Sequence, residues 1–265
     1  MTRQPEMGTI PSAVQGDIKA LEKELDAAEV EMAKHMHKLH APILKKRADV
    51  LAKIDGFWPQ ALTNCVSTNV YIDDDDHALL DHVTKIEVDR DLEDPRAAKI
   101  EFHFSPNKFI NDTVLIKEFK LLPDATEFTS QFDFASDTVP VKTPISWKSD
   151  EVNLSKKKPT MGNINADKEG EEDDEDEEGE DDFEPGSFFS SFFDNENPQV
   201  AGSIGRAIVE DLYPNAVHHF EVPALFDEED EDEEDEEDDE EDEDDGDREI
   251  DLEEEEKRPS KKQRK

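Results

Sequence analysis

Carboxylates are the reactive groups this sequence carries in excess, and their spacing limits what they can do. Residues 169–184 hold 13 Asp or Glu and residues 227–256 hold 26, together 39 of the 73 acids in a chain of 265 residues. Dense carboxylates bind calcium weakly. The ordered form of that chemistry is the EF-hand loop, with glycine sixth and glutamate twelfth. Taking Gly246 as sixth puts Leu252 twelfth, and taking Gly179 as sixth puts Pro185 there, so the pattern fails in both tracts. A low-affinity calcium-binding acidic protein stays as an alternative reading. Cys65 is the only cysteine. It has no evident partner and reads as a small, partly buried residue rather than a reactive thiol. His35, His37 and His40 crowd one helix but lack the i, i+4 spacing of helical zinc sites. Solvated or interfacial histidines account for them. No glycine-rich phosphate loop is present. The expectation is a protein that is not an enzyme, with no cofactor and no metal ligand set.

What remains is electrostatics. The formal net charge is −43. Tracts of like charge repel themselves and bury no apolar surface, so 152–184 and 227–265 are expected to be disordered. The acidic field repels phosphate, which argues against direct binding of nucleic acid. It attracts a strongly basic partner instead. No stretch approaches the ~18 apolar residues of a membrane span. The N-terminus lacks the basic-then-apolar pattern of a signal peptide. Both point to a soluble, intracellular protein with no membrane contact.

The elements that would carry these charges divide the chain into four parts. Residues 1–11 read as a flexible N-terminus. Ser12 with Gln15 fits a capping box that opens a long helix over 12–55. Val14, Ile18, Leu21, Leu25, Ala28, Met32, His35 and Leu39 alternate by fours and threes, a heptad seam. Pro42 should kink the helix. The pattern resumes with Ile43, Val50, Leu51 and Ile54, and Gly56 would end it. Such a helix is about 60 Å long, too long to lie wholly on a small domain. Its seam calls for a second copy; the alternative is packing inside the monomer. Residues 17–31 carry six acids against two bases, and 32–50 carry five bases against one acid. Antiparallel copies would set the acidic half against the basic half, so an antiparallel homodimer is expected. The dimerisation residues are Val14, Ile18, Leu21, Leu25, Ala28, Met32, Leu39 and Ile43.

Residues 56–226 read as an α/β lobe, interrupted by the acidic insertion 152–184. Segments 83–88, 97–104 and 113–121 alternate apolar and polar as strands. Leu115, Lys117, Phe119 and Leu121 share one face, and a further stretch sets Phe128, Phe132 and Phe134 on one face. Residues 138–147 are broken by proline and suit an edge strand. Short connections imply an antiparallel meander. Segments 186–194 and 199–213 return to helix. An antiparallel sheet covered by helices gives an α+β class.

Six ordered segments resemble the nucleosome assembly protein superfamily, in particular its SET-type branch (template-activating factor). HKLHAPILKKRADVLAKIDGFWPQAL, 37–62, is similar to the end of the family's backbone helix and the aromatic turn after it. LLDHVTKIEVDRDLEDPRAAKIEFHF, 79–104, resembles its first hairpin. LIKEFKL, 115–121, and ISWKS, 145–149, follow in register. SFFSSFFDN, 187–195, and VEDLYPNAVHHFEVP, 209–223, resemble its closing helices, with His218 and His219 where the family packs aromatics. The resemblance implies an earmuff-shaped dimer of histone chaperones, with core histones bound beneath two lobes and nucleosomes assembled or disassembled without catalysis. Two departures stand out. Residues 122–144 are longer than the branch leads one to expect. The insertion is strongly acidic, either an added histone-shielding arm or a solvated loop.

On that resemblance the candidate histone-binding carboxylates are Asp73, Asp74, Asp75, Asp76, Asp133, Asp137, Glu210 and Asp211 on the lobe, with Asp227, Glu228, Glu229 and Asp230 opening the acidic tail. The tail's other reading is a solubility tail with no partner. Lys257, Arg258, Lys261, Lys262, Arg264 and Lys265 form a basic end suited to nuclear localisation through an importin. The expected location is the nucleus, with a cytoplasmic pool. A regulator that inhibits a phosphatase or a histone acetyltransferase is the alternative function that the branch permits.

Overall fold

The computed structural model describes residues 8–162 and 183–222. Residues 163–182 of the insertion lie outside the described residues. So do 223–265, with Asp227, Glu228, Glu229, Asp230 and the whole basic end.

Helix α1 runs over Ser12–Leu51, 40 residues, about 60 Å at 1.5 Å per residue. The expected capping box does not form. The helix starts one residue too early for it: Ser12 is already helical, and Pro11 is a cap without a side-chain bond. Gln15 instead donates from Nε2 to the Ile10 carbonyl, 3.2 Å away. Pro42 lies inside the helix. Proline has no N–H, so one main-chain bond is missing there, yet the helix continues to Leu51. It ends short of residue 55 because its last turn tightens: Lys53 and Ile54 donate to the carbonyls of Val50 and Leu51. Gly56 then bends the chain into α2, Phe57–Asn64, with φ of 74°, a left-handed conformation that suits glycine.

One row of α1 packs on the lobe. Val30, Ala48 and Leu51 are buried, and Lys34, His37, Ala41, Leu44 and Arg47 between them are partly buried. Arg47 donates from both terminal nitrogens to the carbonyls of Tyr213 and Pro214. The reading of a single resumed seam after Pro42 is therefore corrected: Leu51 faces the lobe, whereas Ile43, Val50 and Ile54 are exposed.

The sheet is a four-stranded antiparallel meander in the order β1 (Val83–Asp89), β2 (Ala98–Phe104), β3 (Val114–Leu121), β4 (Thr138–Val141). The edge strand is shorter than 138–147. Pro140 and Pro144 lack donors for a ladder, and beyond Val141 the chain bonds elsewhere. Thr143 donates to Phe193 O at 2.8 Å, and Asn111 and Lys148 bond across Ile110 and Trp147. Alternation buries Ile86, Ile100, Phe102, Phe104, Leu115 and Phe119 on one face. Helical turns Phe189–Asp194 and Ala207–Leu212 cover them with Phe188, Phe189, Phe192, Phe193, Ile208 and Leu212. Phe102 meets Phe193 edge-on at 5.4 Å, and Phe119 lies 5.1 Å from Phe134. Each such ring contributes roughly 1.5–3 kcal/mol by burial. Gly205 admits the closest approach: a Cβ there would sit 2.3 Å from Phe119 Cζ.

Residues 122–134 do not extend the sheet. Phe134 enters the core, while Phe128 and Phe132 pair with each other at 5.9 Å. Arg96 organises this loop. Its guanidinium takes Asp94 bidentately at 2.8 Å, donates to the carbonyls of Ala125 and Glu127 at 2.9 Å, and lies over the Phe128 ring. The loop tip reaches α1, where Asp26 accepts from Ser130 N and Oγ at 2.8 and 2.6 Å. This segment thus supplies a brace for the helix.

The expected boundary of the insertion is also corrected. Residues 152–162 fold: Leu154 is buried, Asn153 caps the turn Leu154–Lys157, and Met161 and Glu184 exchange two main-chain bonds of 3.0 Å. A polar composition hid one apolar anchor and one capping residue.

Lys117 sits on the buried face and is fully enclosed. Its Nζ donates to Phe193 O at 3.3 Å and Asn195 O at 2.7 Å, at the carbonyl end of a helical turn, where positive charge is favoured. Burial pulls its pKa down to about 7, against the attraction of Glu196 and Asp194. An unfolded lysine titrates near its ordinary value. Between the folded and unfolded values the unfolded chain binds the extra proton, so stability rises with pH across that window. Relative to Lys117→Met, the native chain is expected to gain about 2 kcal/mol in urea unfolding from roughly pH 7.5 to roughly 9.5. Identical pH dependence in the two proteins would show that the ammonium is not held dry.

Candidate functional site

Two surfaces carry the predicted residues. The first is the seam of α1. Val14, Leu21, Leu25, Ala28, Met32, Leu39 and Ile43 are exposed, Leu25 at 64% and Ile43 at 62%, and Ile18 is partly exposed. His35 in the same row is exposed as well. Where α1 meets the lobe, row positions lie two residues from a lobe-facing one: Ala28 and Val30, Met32 and Lys34, Leu39 and Ala41. At 3.6 residues per turn, two residues are about 200°. The seam therefore runs along the side of the helix opposite the lobe.

The second surface is the set of lobe carboxylates, and the structure separates them. Asp74 and Asp75 are exposed. Asp73 and Asp75 both pair with Lys158 Nζ, the latter at 3.2 Å. The Lys158 bond to Asp73 holds that carboxyl below its ordinary value. Asp76 is corrected from surface to core. It is fully buried, and its carboxylate accepts from Ser187 Oγ at 2.5 Å, Phe188 N at 2.7 Å and Asp73 N at 2.9 Å. Burial raises its pKa, and these bonds oppose the rise. The run of four aspartates looked uniform because sequence does not reveal which carboxylate turns inward.

Asp133 caps Phe134–Asp137 through Ser136 N, and it meets Arg206 Nη1 at 2.9 Å. Asp137 accepts from Asp133 N at 2.9 Å. Glu210 is exposed, with Arg90 and Arg206 acting on it. Asp211 is half-buried and bonded to His219 Nε2 at 3.0 Å and Asn215 Nδ2 at 3.1 Å. Burial alone would raise its pKa, but these bonds bring it below the ordinary carboxylate value.

Cys65 does have a partner: its Sγ lies 3.7 Å from Asp211 Oδ2. Their separation of 146 positions kept that proximity out of reach of sequence spacing. A second carboxylate group that the sequence reading missed lies on the outer face of the sheet. Glu87 and Glu101 are cross-strand partners, and both carboxylates approach His103 Nε2, at 3.3 and 3.4 Å. Their alternation with Ile86 and Phe102 was the available signal.

Comparison with known proteins places this architecture. The family model for Nucleosome assembly protein (NAP) matches residues 12–257. Protein SET of Drosophila melanogaster is 31% identical over 212 residues, spanning 80% of this chain and 71% of that protein. NAP1-related protein 1 of Arabidopsis thaliana is 29% identical over 228 residues, 82% of this chain and 76% of that protein. The crystal structure of Ccp1 matches with a TM-score of 0.56 at 24% identity, covering 82% of this chain and 98% of that one. The crystal structure of the Vps75 histone chaperone matches at 0.53 with 18% identity, covering 80% and 97%. These two likenesses concern the fold. A match that runs from the first turn of α1 past the last described helix takes in the whole folded unit, and this chain belongs to the nucleosome assembly protein family.

Proposed function

We propose that this protein is a non-catalytic histone chaperone, working as a homodimer that binds core histones through lobe carboxylates and its acidic tracts. Membership of the nucleosome assembly protein family, in a chain of net charge −43, is the observation that carries the reading. Histones are rich in Lys and Arg, so attraction is long-range and screened over about 8 Å at physiological salt. The tracts supply charge density without a fixed shape. The lobe supplies carboxylates in fixed positions. No energy source is needed, because DNA, a denser polyanion, competes for the histones. The basic end, Lys257, Arg258, Lys261, Lys262, Arg264 and Lys265, would serve import into the nucleus.

The homodimer rests on the seam. An exposed row of Leu, Met and Ile gains on the order of 1–2 kcal/mol per side chain when covered. A second copy running antiparallel offers a matching row and sets the net-negative stretch 17–31 against the net-positive stretch 32–50.

The following outcomes test this. Replacing Leu21 and Leu25 together by Glu should halve the mass in sedimentation equilibrium while circular dichroism of the lobe is retained; an unchanged mass would remove the seam as the interface, and spin labels at position 21 found close together would remove the antiparallel order. Purified core histones should be retained by the full chain at low salt and released as salt rises, with weaker retention by residues 1–225. No retention by the full chain even at low salt would defeat the histone reading. Among the lobe acids, joint replacement of Asp74 and Asp75 by Asn should weaken histone binding by roughly twofold to tenfold with little change in melting temperature. Asp76→Ala should do the reverse, costing about 2–4 kcal/mol of stability by stripping Ser187 and Phe188 of their acceptor.

A further inference from the structure

Cys65, Asp211 and His219 come from three separate segments and meet at one point. Cys65 lies in the bend between α2 and the short helix Val66–Asn69, and it is fully buried. Asp211 belongs to the turn Ala207–Leu212, and His219, also buried, belongs to Ala216–Glu221. Sγ, a carboxylate oxygen and an imidazole nitrogen all lie within 4.8 Å of one another.

Each group is held by its surroundings. The Cys65 carbonyl accepts from Thr68 N and Asn69 N and from Thr68 Oγ1 at 3.1 Å. Asn64 Nδ2 donates to the His219 carbonyl at 2.7 Å, which fixes the last helix against α2. Asn215 Nδ2 steadies Asp211. A thiol, a carboxylate and an imidazole together are a ligand set for a borderline-soft divalent ion. Around tetrahedral zinc, bonds of ~2.0–2.3 Å place ligand atoms roughly 3.3–3.7 Å apart. The Sγ to Oδ2 distance of 3.7 Å and the Nε2 to Oδ1 distance of 3.0 Å, to the two oxygens of one carboxylate, lie near that range. Side-chain rotation would bring the three ligand atoms, already within 4.8 Å of one another, onto one ion.

The same geometry speaks against nucleophilic catalysis. The sulfur is enclosed, burial and the neighbouring Asp211 charge push its thiol pKa up, and the imidazole addresses the carboxylate. One side is open. Asp211 also lines a groove of about 350 Å³ with Ser67, Val70, Tyr71 and Ser203.

We propose that Cys65, Asp211 and His219 bind a zinc-class divalent transition ion, with water from the adjoining groove as the fourth ligand. On binding, the Cys65 thiol loses its proton to solvent and the neutral imidazole gives its lone pair, so affinity rises with pH. The ion clips α2 to the last described helix.

Cobalt(II) added to the full-length, reduced, chelator-treated protein tests this directly. Cys65 is the only cysteine, so a near-ultraviolet thiolate-to-cobalt absorption reports this site alone, whatever cobalt the acidic tracts take up. The band should saturate at about one equivalent per chain and vanish when zinc is added. It should be absent in Cys65→Ala, weakened at least about tenfold in affinity by His219→Gln and by Asp211→Asn, and unchanged in His103→Ala. Zinc should also raise the melting temperature of the native protein but not of Cys65→Ala. No band in the native protein overturns the proposal regardless of how any variant folds. So does a band indifferent to His219→Gln and Asp211→Asn, or a zinc-induced stabilisation that Cys65→Ala keeps.

Discussion

Helix α1 is apolar along two rows that face opposite directions, and one neighbour cannot cover both. The row through Val30, Ala41, Ala48 and Leu51 is satisfied by the lobe, with Arg47 tying the helix to the carbonyls of Tyr213 and Pro214. The row through Leu21, Leu25, Met32, Leu39 and Ile43 stays in water. A helix in a protein takes most of its stability from packing an apolar face. The lobe therefore secures the C-terminal half of α1, and the loop tip at Ser130 reaches further along it to Asp26. The proposed second copy would answer the remaining row, with the helix as the shared spine of the two lobes.

Charge is divided just as unequally. Some carboxylates work inside the fold. Asp76 closes the approach of the Phe188 turn, Asp133 starts a helix and holds Arg206, and Asp94 grips Arg96. A carboxylate so engaged resists recruitment by a partner, because removing it strands its donors. Those at the surface, such as Asp74, and Asp75 in its exposed pair with Lys158, are individually weak and salt-sensitive. A surface of this kind favours capture of a densely basic partner by many small attractions over recognition by one tight pair.

The phenylalanine core sets how closely the helical cover can approach the sheet. Gly205 lies so near the Phe119 ring that no side chain fits there. Lys117, beside Phe119 on the same strand, crosses this apolar layer to reach the carbonyls of Phe193 and Asn195. An ammonium in such a place costs desolvation energy. Its position joins sheet and cover at a point where an apolar side chain would leave those carbonyls unanswered.

Periodicity made α1, the first three strands and the amphipathic closing helix legible, because a repeat of 3.5 or 2 residues is written along the chain itself. Composition likewise made the appetite for a basic partner legible. The phenylalanine clusters placed the core, and the family segments gave its order. The heptad seam was visible from Val14 to Leu39, but the lobe-facing row was not, since Lys34, His37 and Arg47 lie in it and carry no apolar signature. The capping box, the edge strand and the insertion boundary were misjudged where single local bonds decide. By itself the sequence determined that a long helix, a covered antiparallel sheet and an excess of carboxylates would exist. Only the tertiary structure decided that Asp76 turns inward while Asp74 faces water, and that Cys65 meets Asp211 and His219. Those facts depend on contacts between segments more than a hundred residues apart, and no spacing within a local window encodes them.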